Sequence, residues 1–144
     1  MRILIMGLPG SGKTTFAEKL VEDLKAVGQS VEWFNADKIR ELYNDWDFSP
    51  EGRVRQAERM ANFAHDAEQK GNIVVSDFVC PTHKLRTIFA ADIVVWMDTI
   101  GKGRYEDTNK IFEEPLKYDY RITELDAMPW TWIIAEQFKV QHET

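Results

Sequence analysis

The stretch Gly7-Leu8-Pro9-Gly10-Ser11-Gly12-Lys13-Thr14-Thr15 constrains this chain more than any other. Its spacing is G-x-x-x-x-G-K-[ST], the pattern of a phosphate-binding loop. The apolar run Ile3-Leu4-Ile5-Met6 precedes it and reads as a buried strand. Phe16, Leu20, Val21 and Leu24 follow at helical spacing. Strand, loop and helix in this order turn the pattern into a mechanism. The glycines let backbone N–H groups converge on a phosphate at a helix N-terminus, whose dipole favours anions. Gly7, Gly10, Ser11, Gly12, Lys13, Thr14 and Thr15 are therefore the candidate nucleotide-binding residues. Lys13 is expected to reach the β- and γ-phosphates, and the Thr14 hydroxyl to hold Mg²⁺.

After this loop, strand and helix signals alternate, which favours a parallel sheet covered on both faces. The expected strands are Ile3–Met6, Val31–Phe34, Asn72–Ser76, Ile93–Met97 and Tyr118–Ile122. Helices are expected over Gly12–Val27, shortly after Asp37, from Pro50 to about Gln69, and from Pro129 to Glu136. Ser49 followed by Pro50 reads as a cap and first helical residue. In the last helix, Trp130 and either Ile133 or Ile134 are expected to pack inward. The segment from about 100 to 115 is polar and without clear periodicity, and reads as a short lid or active-site loop. With 144 residues, no repeat and no linker, the chain fits one domain over 1–144.

A net charge of −6 argues against broad non-specific binding to nucleic acid or anionic membrane. Cys80 is the single cysteine, so no intramolecular disulfide can form. No apolar run approaches the ~18 residues that suggest a membrane span. A cytoplasmic chain is the expectation, and a homodimer is left open.

Asp37, Asp77 and Asp98 each lie at or just past the end of an expected strand. Ligands of parallel sheets bind outside these carboxyl ends. Mg-nucleotide chemistry needs carboxylates there, to hold metal-bound water or to take a proton from an attacking hydroxyl. Asp37 is the first choice as base. Asp77 follows Ile73-Val74-Val75-Ser76 and is the first choice for supporting Mg²⁺, with Thr14. Asp98 reads as a turn residue. Arg40 and Arg53 suit bidentate recognition of a tetrahedral oxyanion. Arg55 and Arg59 share a helical face and read as a solvated surface beside Glu58. Phe48, Phe78 and Phe112 are stacking candidates, although phenylalanine is more often core. Trp33 and Trp96 read as core. The three histidines and Cys80 show no metal-ligand spacing.

Several segments together resemble the adenylylsulfate kinases, which use MgATP to phosphorylate the 3′-hydroxyl of adenosine 5′-phosphosulfate. Asn35-Ala36-Asp37-Lys38-Ile39-Arg40 resembles the family's D-G-D-N-x-R. Phe48-Ser49-Pro50-Glu51-Gly52-Arg53 resembles F-S-x-x-x-R, and Arg55-Gln56-Ala57-Glu58-Arg59 resembles E-N-x-R-R. Phe78-Val79-Cys80-Pro81-Thr82-His83-Lys84-Leu85-Arg86 resembles F-[IV]-S-P-Y-R-x-x-R. Met97-Asp98-Thr99 and Lys110-Ile111-Phe112 resemble V-D-T and K-x-F.

The resemblance implies a three-layer α/β P-loop NTPase fold of the nucleoside-kinase-like kind, with a central, mainly parallel five-stranded sheet. It implies ATP and Mg²⁺ as cofactors and a small-molecule acceptor carrying an anionic group and a base. Asp37 would lie near the acceptor hydroxyl, Arg40 and Arg53 would grip the phosphosulfate, and Phe48 and Phe112 would sandwich the adenine. Gln56, Phe78 and Lys110 complete the candidate acceptor set. The chain departs from the pattern at Asn35, Gln56, Glu58 and Cys80. Asp77 stands where the family usually has a small residue. The lid is shorter, leaving Lys102, Arg104 and Lys110 as its cations.

Two further readings remain open within and beyond this class. One is a kinase of a nucleotide, nucleoside or hydroxymethylated base, including a base in DNA. The other is an ATP-binding module without turnover. A GTPase would carry N-K-x-D, but Asn109-Lys110-Ile111-Phe112 places Phe where the aspartate belongs.

Overall fold

A computed structural model describes residues 1–101, 106–126 and 129–140. Five strands form its sheet: β1 (Arg2–Met6), β2 (Val31–Asn35), β3 (Ile73–Asp77), β4 (Ile93–Met97) and β5 (Tyr120–Ile122). Their order is β2-β3-β1-β4-β5, and all four pairings are parallel. The helices are α1 (Lys13–Ala26), α2 (Ala36–Tyr43), α3 (Pro50–Gln69), α4 (His83–Phe89), α5 (Glu106–Ile111) and α6 (Trp130–Glu136).

Alternation along β1 divides the interior in two. Ile3 and Ile5 join one core with Phe16, Leu20 and Leu24 of α1 and Ile134 of α6. Leu4 and Met6 join the other with Met60 and Ala64 of α3 and Phe89 of α4. Both faces are thus covered, which is why the central strands read as continuous apolar runs.

Helix starts follow local chemistry. Ser49 accepts a hydrogen bond from the Gly52 N–H at 3.1 Å, with Pro50 in the first turn. Asn35 caps α2 by accepting from the Lys38 N–H at 3.0 Å. Before α1 stands Gly12 as N-cap, in a left-handed conformation with φ 91°, and the helix has no side-chain cap. A side chain would be strained there.

Three expectations are corrected. α2 begins at Ala36, so Asp37 sits in its first turn rather than before it. α4 and α5 are helices where none was expected, because seven and six residues are too short to show periodicity. In α6, Ile134 is buried while Trp130 and Ile133 face outward. Among the described residues no helix is long and apolar enough to cross a membrane. Lys102 and Arg104 lie outside the described residues.

Candidate active site

The sheet delivers three loops to one edge. In the parallel register, Asp77 at the end of β3 lies beside Ile5 of β1 and Asn35 of β2. A cavity of about 720 Å³ opens there. This volume suits a small-molecule ligand. The phosphate loop lines it through Gly10, Gly12, Lys13, Thr14 and Thr15. The N–H groups of a helix's first turn have no intrahelical acceptor, so this start of α1 presents donors to an anion. Lys13 folds back over the loop, its Nζ donating to the Leu8 carbonyl at 3.1 Å. Gly7 and Ser11 are not on the cavity wall. Gly7 abuts Met97 of β4, and Ser11 is fully buried.

Asp77 is the hub of the first cluster. Its Oδ2 accepts from the Thr14 hydroxyl and from the Asn35 amide, each at 2.9 Å. Its Oδ1 accepts from the Trp33 indole N–H at 2.7 Å. Asn35 also donates to Thr14 Oγ1 at 3.3 Å. Burial raises the Asp77 carboxyl above its ordinary range; the Trp33, Thr14 and Asn35 donors and the Lys13 charge oppose that shift.

This donor set fits Mg²⁺. Thr14 and Asp77 offer adjacent hard oxygens, and a buried carboxylate gains most from a cation. Among the described residues no group of three acidic, histidine or cysteine side chains could hold a metal. Asn35 and Asp77 also account for each other. An amide stands where the resembled family has an acid, an acid stands where it has a small residue, and the two side chains meet.

Arg40, Phe48 and Arg53 form the second cluster. The Arg40 and Arg53 guanidinium carbons lie 4.2 and 5.3 Å from the Phe48 ring centroid. Arg40 is buried and donates to the Asp45 and Asp47 carbonyls at 3.1 and 3.2 Å. Burial lowers its pKa from the ordinary arginine range, though guanidinium stays charged. Arg53 donates to the Phe48 carbonyl at 2.9 Å and to Thr108 Oγ1 at 3.3 Å. Gln56 is buried and donates to the Ala36 carbonyl at 3.0 Å. All four line the cavity, as do Asp37, Trp46 and Phe78. Asp37 is exposed there. Phe78 is mainly core, packed edge-to-face on Phe89 at 5.3 Å.

Phe112 and Lys110 are not on the cavity wall. Phe112 packs against the second core, and its ring centroid lies 5.5 Å from the Arg86 guanidinium carbon. Arg86 in turn donates to the Cys80 carbonyl at 3.0 Å and to the Glu113 carbonyl. The Glu113 N–H donates to the Pro81 carbonyl at 2.7 Å. These contacts tie the end of the 100–115 segment to the loop before α4. Burial pushes the Cys80 thiol up to about 12, so it remains protonated at neutral pH. Asp98 pairs with Arg121 at 2.6 Å, just past β4, and does not line the cavity.

Sequence reasoning missed four contributors. Trp33 is more than core, since its indole serves Asp77. Arg55 and Arg59 are not a plain solvated face: Asp45 accepts from both, at 2.7 and 2.6 Å. Trp46 lines the cavity. Trp33 and Trp46 have no motif; Arg55 and Arg59 fall in the E-N-x-R-R match, and their pairing with Asp45 and Asp47 carries a further signal, as opposite charges about a helical start.

A family model described as adenylylsulphate kinase matches residues 1–97. The chain belongs to that family. Over 87 residues it is 36% identical to a probable adenylyl-sulfate kinase of Aeropyrum pernix, covering 60% of this chain and 48% of that protein. Over 73 residues it is 33% identical to a cytidine diphosphoramidate kinase of Campylobacter jejuni, covering 51% of this chain and 43% of that one. The chain thus spans about half the length of the curated relatives it matches. The Mycobacterium tuberculosis APS kinase in complex with AMPPNP and APS superposes with a TM-score of 0.77 at 20% identity, over 94% of this chain and 96% of that one. At that identity the likeness establishes the three-layer P-loop kinase fold, and it extends past the residues the family model matches.

Proposed function

We propose that this chain is an ATP-dependent kinase that transfers the γ-phosphoryl group to a hydroxyl of an anionic nucleotide, with the 3′-hydroxyl of adenosine 5′-phosphosulfate as its first acceptor. One observation carries the reading. A single cavity holds both the Thr14–Asp77 oxygen pair beside the phosphate loop and the Arg40–Phe48–Arg53 cluster. The first suits a nucleotide donor with Mg²⁺. The second suits an oxyanion joined to an aromatic base. Family membership and the Aeropyrum relative support the acceptor.

The division of labour follows from position. The loop amides and Lys13 would bind and orient the phosphates, and Thr14 and Asp77 would hold the metal. Mg²⁺, when bound, neutralises charge on the β- and γ-oxygens. Asp37, exposed in the cavity on the first turn of α2, takes the acceptor hydroxyl's proton. Arg40 and Arg53 fix the acceptor's anionic group. In such chemistry the protein mainly positions reactants and stabilises charge.

A second acceptor has its own support, because the Campylobacter relative is named for cytidine diphosphoramidate. Phe112 does not line the cavity, so a two-ring adenine sandwich of Phe48 and Phe112 is not required of the acceptor. The test follows ADP release with adenosine 5′-phosphosulfate, cytidine nucleotides, hydroxymethylated nucleosides and DNA offered separately. Stimulation by adenosine 5′-phosphosulfate alone supports the first reading. Stimulation only by another acceptor keeps the kinase and changes its substrate. ATP binding without stimulation by any of them overturns the kinase.

A further inference from the structure

Trp46 has an environment that no other aromatic residue of the cavity shares. It lines the cavity and is 48% exposed. Its indole makes no ring stack, no cation–π contact and no hydrogen bond among the described residues. Phe48, by contrast, already has two guanidinium groups at its ring. Phe78 is core, and Phe112 lies elsewhere.

The backbone on either side of Trp46 is fixed firmly. Arg40 donates to the carbonyls of both Asp45 and Asp47. The Asp45 carboxylate is held by Arg55 and Arg59, and it accepts from the Asp47 N–H at 3.2 Å. Asp47 accepts from the Ser49 N–H at 2.9 Å. The Asp47 carbonyl lies so close to Gly52 that any Cβ there would collide with it. A half-exposed indole with no ring stack, cation–π contact or hydrogen bond among the described residues is thus mounted on a braced tripeptide on the cavity wall. Exposed tryptophan presents a large apolar face and one N–H donor, a combination suited to a flat heteroaromatic group. Fixing the loop in advance lowers the ordering cost of binding.

We propose that Trp46 is the stacking wall for the acceptor's base, with Phe48 held by Arg40 and Arg53 as a charged ledge beside it. This rests on the kinase reading for the word acceptor, but not for the stacking itself. Trp46 shares its loop with Phe48 and with the arginine contacts, not with the phosphate loop. It therefore selects the acceptor's base rather than the adenine of ATP.

Two measurements test this. In steady-state assays with adenosine 5′-phosphosulfate, Trp46→Ala should raise the acceptor KM about tenfold, with a smaller fall in kcat. The KM for ATP should stay within twofold, and Trp46→Phe should recover most of the loss. A rise in the ATP KM instead, or an unchanged acceptor KM, overturns the proposal. The second measurement needs no turnover. With ADP and Mg²⁺ present, AMP and CMP are titrated against tryptophan fluorescence. Quenching in the wild type that disappears in Trp46→Phe supports the assignment. Equal quenching in both proteins, or none in the wild type, overturns it. If no acceptor stimulates ADP release while the Trp46-dependent quench persists, the kinase reading falls and the stacking site stands.

Discussion

Asp77 lines the cavity, Asp45 braces the loop that brings Trp46 and Phe48 to it, and the two carboxylates are held in opposite ways. Asp77 is 2% exposed and is bonded by neutral donors from α1 and β2. Burial raises its pKa. Asp45 sits in the 44–49 loop, bonded by the guanidinium groups of Arg55 and Arg59, which hold its carboxyl well below the ordinary range. The end proposed for the phosphates is thus a buried, hydrogen-bonded frame around one carboxylate. The end proposed for the acceptor is a loop whose shape is set by ion pairs. A nucleotide triphosphate and its metal bring their own charges, so the first end benefits from low dielectric. An acceptor must be chosen among many similar molecules, and a braced loop can vary its side chains without disturbing the sheet.

The most severe way to break this division is at the phosphate loop. Lys13→Ala should lower kcat by about 10²–10³, with the fold intact by circular dichroism. Wild-type turnover in that variant would remove the loop from the chemistry. Next, Asp77→Asn should raise the Mg²⁺ concentration for half-maximal activity, while Asp37→Asn should mainly lower kcat. Indistinguishable Mg²⁺ titrations of these two variants would erase the separate roles.

At the other end, Phe48→Ala, Arg53→Ala and Asp45→Ala should each raise the acceptor KM about tenfold and leave ATP affinity, measured by calorimetry, nearly unchanged. Asp45→Ala sharpens the comparison most, because it reaches the acceptor only through the loop it braces. The pH dependence of unfolding should also separate the ends. Asp45, with its depressed pKa, contributes stability above about pH 3.9 that is lost as pH falls. Asp77, with its raised pKa, contributes stability that is present below about pH 3.9 and is lost as pH rises through its folded value. Denaturant titrations from pH 3 to 7 should therefore show Asp45→Asn and Asp77→Asn changing the slope with opposite signs, and Mg²⁺ with ADP should offset the Asp77 loss. The smallest functional effect is expected at Phe112. Phe112→Ala should cost about 1–2 kcal/mol of stability, as a half-buried ring, and leave the acceptor KM within twofold. A tenfold KM rise there would return Phe112 to the acceptor site.

The phosphate end was more legible than the acceptor end, for a physical reason. Gly12, Lys13 and Thr14 are contiguous, as a phosphate-binding pattern built on one loop and one helix start requires. Asp77 could be read from its place at the end of an apolar strand. Trp33 could not, because its apolar strand context hides the use made of one N–H. Phe112 differs the other way: a family pattern puts it beside a base, whereas in the structure it packs against the second core and Arg86, off the cavity wall. Short helices such as α4 and α5 escaped notice because six or seven residues carry less than two full turns of pattern.

The sequence by itself determined the α/β alternation, the phosphate loop and its helix, the Ser49–Pro50 helix start and the family, since each depends on neighbours within a few residues or on periodic burial. Only the tertiary structure decided that Asn35 and Asp77 share one hydrogen-bonded cluster with Thr14, that Asp45 ties Arg55 and Arg59 to the loop, and that Trp46 rather than Phe112 lines the cavity. Those contacts join residues from different strands, loops and helices, 10 to 63 positions apart for the pairs that bond directly. Which of them meet is fixed by strand order and register, and no local pattern encodes either.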